Sequence, residues 1–291
     1  MSTVAVVAHA GKSFGGGLGE LRHVLAREGV TEPLWYEVKK SRKAPKYARR
    51  AADKGADLIF VWGGDGTVQR SIDALSGTSA AVAILPAGTA NLLATNLHVP
   101  GDLTEAVRVG LHGARCAIDT GSVNGEHFAV MAGAGFDARM IAGADRAMKD
   151  RLGRAAYLYT GARSLFAPRV MATVKVDGQR FFEGRVSCVL AGNVSQVIGG
   201  AEVFPAARPD DGLLALGLVT ASNPVEWART LGQVAFGHPQ RSPFVRVTAG
   251  TKFRIRFAQE IPYELDGGTR AATRDLRIKV HPRSVTICVP A

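Results

Sequence analysis

The chain has 291 residues, of which 46% are hydrophobic and 21% charged, as in an ordinary globular protein. This length predicts two domains with a substantial core, and no apolar run approaches the length of a membrane span. The excess of 36 basic over 25 acidic residues favours anionic partners such as nucleic acid, phosphorylated ligands or an acidic membrane face. The three cysteines, Cys116, Cys188 and Cys288, show no metal-binding spacing and indicate a reduced, cytoplasmic protein.

The first part of the chain alternates apolar runs with helical patterns. Strands are predicted at Val4–Ala8, Leu34–Val38, Leu58–Val61 and Ala81–Leu85. The first of these runs lacks the basic start of an export signal. Helical spacing follows at residues 18–25, 45–54, 68–75 and 103–111. This rhythm predicts a Rossmann-like α/β domain with a parallel sheet over residues 1–118.

Beyond residue 118 the pattern changes to successive strand-like runs, several of which alternate apolar and polar residues. The predicted strands are Phe128–Ala132, Ala172–Val176, Val186–Ala191, Leu213–Val219, Val245–Val247, Phe253–Phe257, Leu276–Val280 and Val285–Val289. Helical stretches near Arg151–Leu165 and Pro224–Phe236 interrupt them, and Asp177-Gly178 predicts a hairpin turn. Residues 119–291 should therefore form a β-rich sandwich or barrel, whose last strand could return to the first domain.

Two glycine-rich loops follow neighbouring strands. Gly63–Thr67 joins the third strand to a helix start, and Pro86–Asn91 follows the fourth strand. Glycines let backbone N–H groups approach a ligand, and a helix N-terminus favours an anionic one. Parallel strands end at one edge of a sheet, so the two loops could meet there and hold phosphates. The candidate nucleotide-binding residues are Gly63, Gly64, Asp65, Gly66, Thr67, Gly88, Thr89 and Asn91.

Structural roles stay open for these residues, since a tight turn alone explains a glycine-rich loop. Asp65 would repel phosphate unless a divalent cation lies between them, and it could instead accept a proton or cap the following helix. The hydroxyl groups of Thr67 and Thr89 could donate hydrogen bonds to a ligand. Asn91 could contact a nucleotide edge or cap a second helix.

The two loops in this order resemble the diacylglycerol kinase catalytic-domain family, which includes bacterial lipid kinases and sphingosine kinases and is related to NAD kinases. Matching motifs continue along nearly the whole chain at Gly133–Asp137, Asn193 with Gly199-Gly200, Pro205–Leu213 and Leu265–Gly267. The resemblance implies transfer of the γ-phosphate of ATP, helped by Mg²⁺, to a lipid hydroxyl, with diacylglycerol as the expected acceptor and phosphatidic acid as the product. It also implies an active cleft between a nucleotide-binding α/β domain and a β-sandwich domain.

The resemblance also implies ligands for the nucleotide and the metal. Residues 63–67 would hold the ATP phosphates, and Thr89 would contact the nucleotide. Asp211 and the carbonyl groups of Arg208 and Leu213 would bind a structural Mg²⁺, since oxygen ligands suit this cation. A surface β-turn is the alternative explanation of these three residues.

The catalytic loop departs from the family pattern, which usually reads Asp-Gly-Glu. Here Gly268 stands where an acid is expected, so Asp266 is the predicted proton acceptor, with Glu264 as support, and Asp65 is a further catalytic candidate. Asp266 could instead be a structural turn acid. Leu92 likewise follows Asn91 where the family often has Asp.

Three functions follow from this pattern. The first is a diacylglycerol kinase, and the second is a kinase for a sphingoid base, another lipid alcohol or a soluble polyol. The third is a non-catalytic protein that binds a nucleotide or a lipid, because the loop reads Asp-Gly-Gly. Each makes ATP or a lipid the expected ligand.

A lipid kinase also has to meet a bilayer. Basic stretches at residues 39–50 and 139–157, the second interleaved with apolar residues, could contact an anionic membrane peripherally. A solvated helix face is the alternative for both. No nucleic-acid motif accompanies the charge, so nucleic acid is not an expected partner, and the sequence allows a homodimer.

Overall fold

The computed structural model describes residues 3–135, 169–198 and 201–291. The chain forms two compact units, one made of residues 1–120 and 282–291 and the other of residues 121–281. The division expected from the sequence was near residue 118. The predicted helix near Arg151–Leu165, the basic stretch at 139–157 and parts of two family motifs (residues 136–137 and 199–200) lie outside the described residues.

The first unit contains a parallel sheet in strand order β2-β1-β3-β4, and the end of the last strand of the chain pairs in parallel with β4. Its strands are β1 (Val4–His9), β2 (Leu34–Val38), β3 (Leu58–Gly63) and β4 (Ala81–Pro86). Every residue of β3 is buried, as expected for a strand inside a parallel sheet. Alternate β3 side chains, including Phe60 and Trp62, pack in one apolar cluster with Leu21 and Val107.

Helices connect these strands. They are α1 (Gly17–Arg27), α2 (Ala44–Asp53), α3 (Asp65–Leu75), α4 (Leu92–Asn96) and α5 (Leu103–His112), with a 3-10 turn at Ser41–Lys43 before α2. The four stretches predicted as helices are therefore helices, with ends within a few residues of those expected. The predicted α/β domain with a parallel sheet is confirmed.

The second unit is built largely of antiparallel strands. Its elements are the end of β5 (Ala114–Val123), β6 (Glu126–Phe128), β7 (Met131–Gly135), β8 (Val170–Val176), β9 (Gln179–Val186), β10 (Cys188–Gly192), β11 (Gln196–Ile198), β12 (Ala201–Glu202), β13 (Leu214–Val219), α6 (Pro224–Ala235), a 3-10 turn (Pro239–Arg241), β14 (Val245–Gly250), β15 (Lys252–Leu265) and most of β16 (Gly268–Val289). The predicted β-rich second domain is confirmed.

Strand β15 joins two sets of strands around one apolar core. Phe253 at its start pairs with Val176 of β8, whereas Tyr263 near its end pairs with Ala134 of β7. Register shifts between Arg256 and Ile261 separate the two halves of the strand, as a bulge that bends it would. Buried residues of both sets of strands pack in a single apolar core, which includes side chains from β8, β13 and β15.

The predicted hairpin turn at Asp177-Gly178 is present. Both residues have positive φ, 48° and 89°, which is the backbone conformation of a type I′ turn. Val176 pairs with Gln179 directly across the turn. The Asp177 carboxylate accepts hydrogen bonds from the amide and hydroxyl of Thr251 and from the amide of Lys252. These bonds lower the pKa of Asp177 and tie the turn to the start of β15.

Some predicted strands were wrong in extent. Phe128–Ala132 is not one strand, because β6 ends at Phe128 and β7 begins at Met131. The amides of Ala129 and Val130, between the two strands, donate hydrogen bonds to a carboxylate described below. Val186–Ala191 is divided at Ser187, whose hydroxyl donates to the carbonyl of Ala221. The last two predicted strands are parts of one strand, β16. Strand β5 was not predicted, because its middle contains buried polar residues, among them Asp119 and Thr120.

Gly110 of α5 packs directly against β3, and this contact can be tested by substitution. A Cβ atom at Gly110 would overlap the ring of Phe60 and lie 2.8 Å from the Cβ of Ala83. We expect Gly110→Ala to destabilise the protein by about 1–3 kcal/mol in urea unfolding, despite the better helix propensity of alanine. Gly19→Ala in α1 is the matched control, because no atom lies within 4 Å of the added methyl group. It should stabilise the protein by up to about 1 kcal/mol, and equal stability of the two variants would contradict the packing.

Candidate functional site

The two glycine-rich loops leave the same edge of the sheet side by side. Strands β3 and β4 are adjacent and parallel, and Gly63 pairs with Pro86 at their carboxyl ends. The loops then touch, since a Cβ atom on Gly64 would lie 3.0 Å from the Cα of Gly88. Only glycine permits so close an approach of two backbones. The loops predicted to meet are therefore neighbours.

Asp65 joins the two loops. It is the first residue of α3, and its carboxylate accepts hydrogen bonds from the amides of Asn91 (3.0 Å) and Leu92 (2.6 Å). The start of α3 at Gly64 has no side-chain cap. Asp65 thus caps the N-terminus of α4, and the alternative that it caps its own helix is wrong. Burial raises the pKa of the Asp65 carboxyl group, and the two amides offset part of that rise.

The side chain of Asn91 closes the second loop on itself. Its Oδ1 accepts a hydrogen bond from the amide of Gly88 (2.9 Å), and its Nδ2 donates to the carbonyls of Pro86 (3.2 Å) and Gly88 (3.0 Å). Its backbone has a φ of 48°, a left-handed conformation that asparagine tolerates better than most residues. Asn91 therefore fixes the shape of the loop, and its side chain does not cap α4.

The two threonines lie in different environments. Thr67 is 3% exposed and packs against Gly63, where a Cβ atom would come within 2.6 Å of the Thr67 Cβ. Thr89 is exposed on the second loop. Gly66, in the first turn of α3, has open space where a side chain would be. The first amides of a helix lack intrahelical acceptors, so this open turn can donate N–H groups to a phosphate.

The loop after β1 reaches the same edge, although sequence reasoning assigned it no site residue. The strand order changes direction at β1, and such switch points are where α/β sheets bind ligands. Trp62 of β3 donates its ring N–H to the carbonyl of Lys12 (3.1 Å) and meets the ring of Phe14 edge-on. Burial and the charge of Lys12 lower the pKa of His9 and so favour its neutral ring. The position of this loop at a strand end was the signal that could have identified it.

The capping role of Asp65 predicts a specific loss of stability. Asp65→Asn keeps one acceptor oxygen but turns an NH₂ group towards a backbone amide, so we expect a destabilisation of about 1–3 kcal/mol in urea unfolding at pH 7. Asp102→Asn is the matched control, because Asp102 caps α5 with a single oxygen, which accepts from the amide of Glu105. Asparagine caps helices about as well as aspartate, so this variant should be nearly neutral. Equal effects of the two substitutions would show that Asp65 does not join the loops.

The predicted base, Asp266, lies in the second unit at the turn between β15 and β16. It is 3% exposed and has a φ of 44°. Its carboxylate accepts hydrogen bonds from the amides of Ala129 (2.8 Å), Val130 (3.0 Å) and Met131 (2.8 Å). Asp266 therefore holds the connection between β6 and β7, and its catalytic role stays a prediction.

The residues around Asp266 include a salt bridge that sequence reasoning missed. Glu264 is fully buried and accepts a hydrogen bond from the amide of Gly267 (2.6 Å). Arg270 donates to the carbonyl of Gly268 (2.8 Å) and forms a two-bond pair with the carboxylate of Glu126, which raises the pKa of Arg270. A Cβ atom on Gly268 would lie 2.8 Å from Nη1 of Arg270. An arginine thus lies beside the position where an acid was expected.

The predicted metal ligands form an exposed turn before β13. Asp211 accepts a hydrogen bond from the amide of Leu213 (2.9 Å), and Arg208 pairs loosely with Asp210 (3.8 Å). Among the described residues there is no group of three or more His, Cys, Asp or Glu side chains that could hold a metal. A carboxylate with two carbonyl groups still matches the oxygen chemistry of Mg²⁺. The magnesium site stays a prediction.

The three hydrogen bonds that backbone amides donate to the Asp266 carboxylate predict that its charge stabilises the fold. We expect Asp266→Asn to lower the free energy of unfolding by about 1–3 kcal/mol, because the new NH₂ group would face a buried amide. Asp177→Asn is the control, since Asp177 also has a positive φ and accepts three hydrogen bonds, but is exposed. Solvent screening should make its effect much smaller. Thermal unfolding of both variants decides the matter, and equal shifts would contradict a buried structural role for Asp266.

Comparison with known proteins gives the class of the fold. Residues 4–123 match the family model of the diacylglycerol kinase catalytic domain. Residues 130–289 match the model of the YegS C-terminal NAD kinase beta sandwich-like domain. The α/β unit with its paired glycine-rich loops and the β-rich unit together define a kinase of the diacylglycerol kinase type.

Two bacterial relatives align with most of the chain, and each is named "probable lipid kinase YegS-like". A relative from Cronobacter sakazakii is 31% identical over 253 residues, covering 85% of this chain and 83% of the relative. One from Pseudomonas aeruginosa is 33% identical over 252 residues, covering 85% and 82%. The chain belongs to the YegS-like lipid kinase family.

Solved structures show the same fold at lower sequence identity. A diacylglycerol kinase from Bacillus anthracis superposes with a TM-score of 0.82 at 24% identity, covering 99% of this chain and 97% of that one. An NAD kinase from Archaeoglobus fulgidus, solved with ATP, superposes with a TM-score of 0.53 at 13% identity, covering 98% and 93%. Within the described residues, no helix combines the length and apolar character needed to cross a membrane.

Proposed function

We propose that this lipid kinase transfers the γ-phosphate of ATP to the hydroxyl group of diacylglycerol, which yields phosphatidic acid. The observation that carries the proposal is the pair of loops at Gly63–Thr67 and Pro86–Asn91, held together by the Asp65 carboxylate. Their glycines bring backbone amides to the carboxyl edge of a parallel sheet, where phosphates bind in such folds. The relatives named as lipid kinases support a lipid acceptor.

The α/β unit supplies the groups proposed for ATP. The open first turn of α3, at Asp65 and Gly66, would donate amides to the phosphates, and the exposed Thr89 would donate its hydroxyl group. Asp65 keeps the second loop in place and does not itself have to approach the phosphates. Asp211 and the carbonyls of Arg208 and Leu213 would hold a Mg²⁺ ion, which would stabilise that turn when bound.

The second unit supplies the proposed proton acceptor. Three amides fix the orientation of the Asp266 carboxylate. A carboxylate held in a fixed orientation is what a positioned proton acceptor requires. In the proposed step the lipid oxygen bonds to the γ-phosphorus, its proton passes to Asp266, and ADP leaves. Glu264 supports the turn through its bond to Gly267.

One observation favours a second candidate, a family member that binds ligands without catalysis. Arg270 is paired with Glu126 and bonded to Gly268, at the position expected to carry an acid. A cation at that point would not accept a proton. This candidate also binds ATP, so only a transfer assay separates it from the kinase.

The proposal is tested with purified protein, labelled ATP, Mg²⁺ and a panel of acceptors in anionic vesicles. The panel contains diacylglycerol, a sphingoid base, a polyprenol and glycerol as a soluble polyol. We expect label in phosphatidic acid. Label in another product would replace the acceptor, and the absence of any transfer despite ATP binding would favour the non-catalytic candidate.

Gly88→Ala tests separately whether the loop pair binds ATP. Its methyl group would overlap the backbone of Gly64 and lie 2.5 Å from Oδ1 of Asn91, so the loops have to separate. We expect ATP affinity, measured by titration calorimetry, to fall about tenfold or more, which corresponds to roughly 1.4 kcal/mol. Gly101→Ala, in open space in the same unit, should bind ATP like the wild type. Unchanged affinity of Gly88→Ala would remove the loop pair from the ATP site.

A further inference from the structure

We infer that helix α6 docks the second unit on an anionic lipid surface through an exposed apolar face, called here the α6 patch. The patch consists of Val225, Ala228, Leu231 and Ala235, which recur at spacings of three or four residues along one side of the helix, and of Phe236, which directly follows the helix. Val225, Leu231 and Phe236 are 68%, 46% and 79% exposed. A cluster of large apolar side chains exposed to solvent indicates an interaction surface.

The helix is anchored by its opposite side. Trp227 and Thr230 are 3% and 2% exposed, and the hydroxyl of Thr230 lies 3.0 Å from that of Ser242. Asn223 caps the N-terminus by accepting hydrogen bonds from the amides of Val225 and Glu226. Because α6 is held in this way, the patch projects from a fixed helix. Val225 and Phe236 lie about 16 Å apart along the axis at 1.5 Å per residue.

The charges around the patch are those that suit anionic lipid headgroups. Arg229 lies at the edge of the patch, and Arg241 is exposed in the 3-10 turn that contacts α6. Glu226 is the single acid of residues 222–250, and its carboxylate accepts hydrogen bonds from the amide and hydroxyl of Ser222. A second acid, Glu202, lies near Gly237 at the other end of the helix. Apolar side chains next to arginines bind at the boundary between headgroups and acyl chains.

The same charges count against a second copy of the chain as the occupant. In a twofold interface each patch would meet itself, so Arg229 and Arg241 of one copy would come near those of the other. The carboxylate of Glu226 is already bonded to Ser222. An anionic bilayer brings the opposite charge and an apolar interior together. This inference rests on the proposed lipid acceptor for its purpose, and it names the surface by which the protein reaches that acceptor.

The inference is tested by co-sedimentation without ATP. The vesicles contain either phosphatidylcholine alone or equal amounts of phosphatidylcholine and phosphatidylglycerol. We expect wild-type protein to sediment with the anionic vesicles. Phe236→Asp should weaken that binding about tenfold or more, because an exposed aromatic ring that would enter the bilayer is replaced by a charge. Val225→Asp should act in the same direction while preserving the helix, since an acid in the first turn is favourable there.

Met171→Asp is the matched control, because Met171 is an exposed apolar residue (43%) on β8 and receives the same charge. It should bind vesicles like the wild type, and circular dichroism should show all three variants folded. The inference is overturned if the wild type does not bind anionic vesicles, if it binds neutral ones equally, or if both α6 variants bind normally. It is also overturned if Phe236→Asp abolishes a dimer in size-exclusion chromatography and leaves vesicle binding unchanged.

Failure of this inference is distinguishable from failure of the proposed function. Vesicle binding is measured without nucleotide and without transfer, so an inactive wild-type protein that still binds through the α6 patch would count against the kinase proposal alone. Conversely, Phe236→Asp should keep the wild-type rate on a short-chain diacylglycerol in detergent micelles and lose rate on anionic vesicles. Equal rates of the two proteins on vesicles would count against the patch alone.

Discussion

The pair of glycine-rich loops in the first unit depends on one carboxylate, that of Asp65, which lies between them. Burial makes its negative charge unfavourable, and the amides of Asn91 and Leu92 offset part of that cost. The bond also requires the two backbones to touch, which Gly64 and Gly88 allow. An aspartate within a phosphate-type loop, at first sight repulsive to its ligand, is thereby explained as the group that builds the loop pair.

The second unit uses the same principle with a different geometry. The Asp266 carboxylate accepts hydrogen bonds from three amides at the connection between β6 and β7, which is far from it in sequence. Such a carboxylate joins distant segments and has a fixed orientation, which are also the requirements for a positioned proton acceptor. Arg270, paired with Glu126, donates a hydrogen bond to the carbonyl of Gly268. Together with the bond from the amide of Gly267 to Glu264, this contact holds the turn.

Much of the fold could be predicted because the strands of the first unit are continuous apolar runs, and the meeting of the two loops follows from parallel topology alone. Strand β5 could not be predicted, because its buried Asp119 and Thr120 find their partners, the amide of Arg283 and the hydroxyl of Ser284, more than 160 residues later. The Glu126 salt bridge is equally non-local. In these places polar groups are buried through long-range pairing, which local patterns of hydrophobicity do not record.

The return of β16 to the first unit has a consequence for biosynthesis. Thr286 and Ile287 pair with Ala81 and Val82, so the parallel sheet gains this strand from residues that are translated after those of the second unit. Domains usually fold in the order in which they leave the ribosome. Here the α/β unit emerges first yet has an open sheet edge at β4 until residues 282–291 arrive. The β-rich unit is released in between, so the sheet of the α/β unit is completed only after the β-rich unit has been translated.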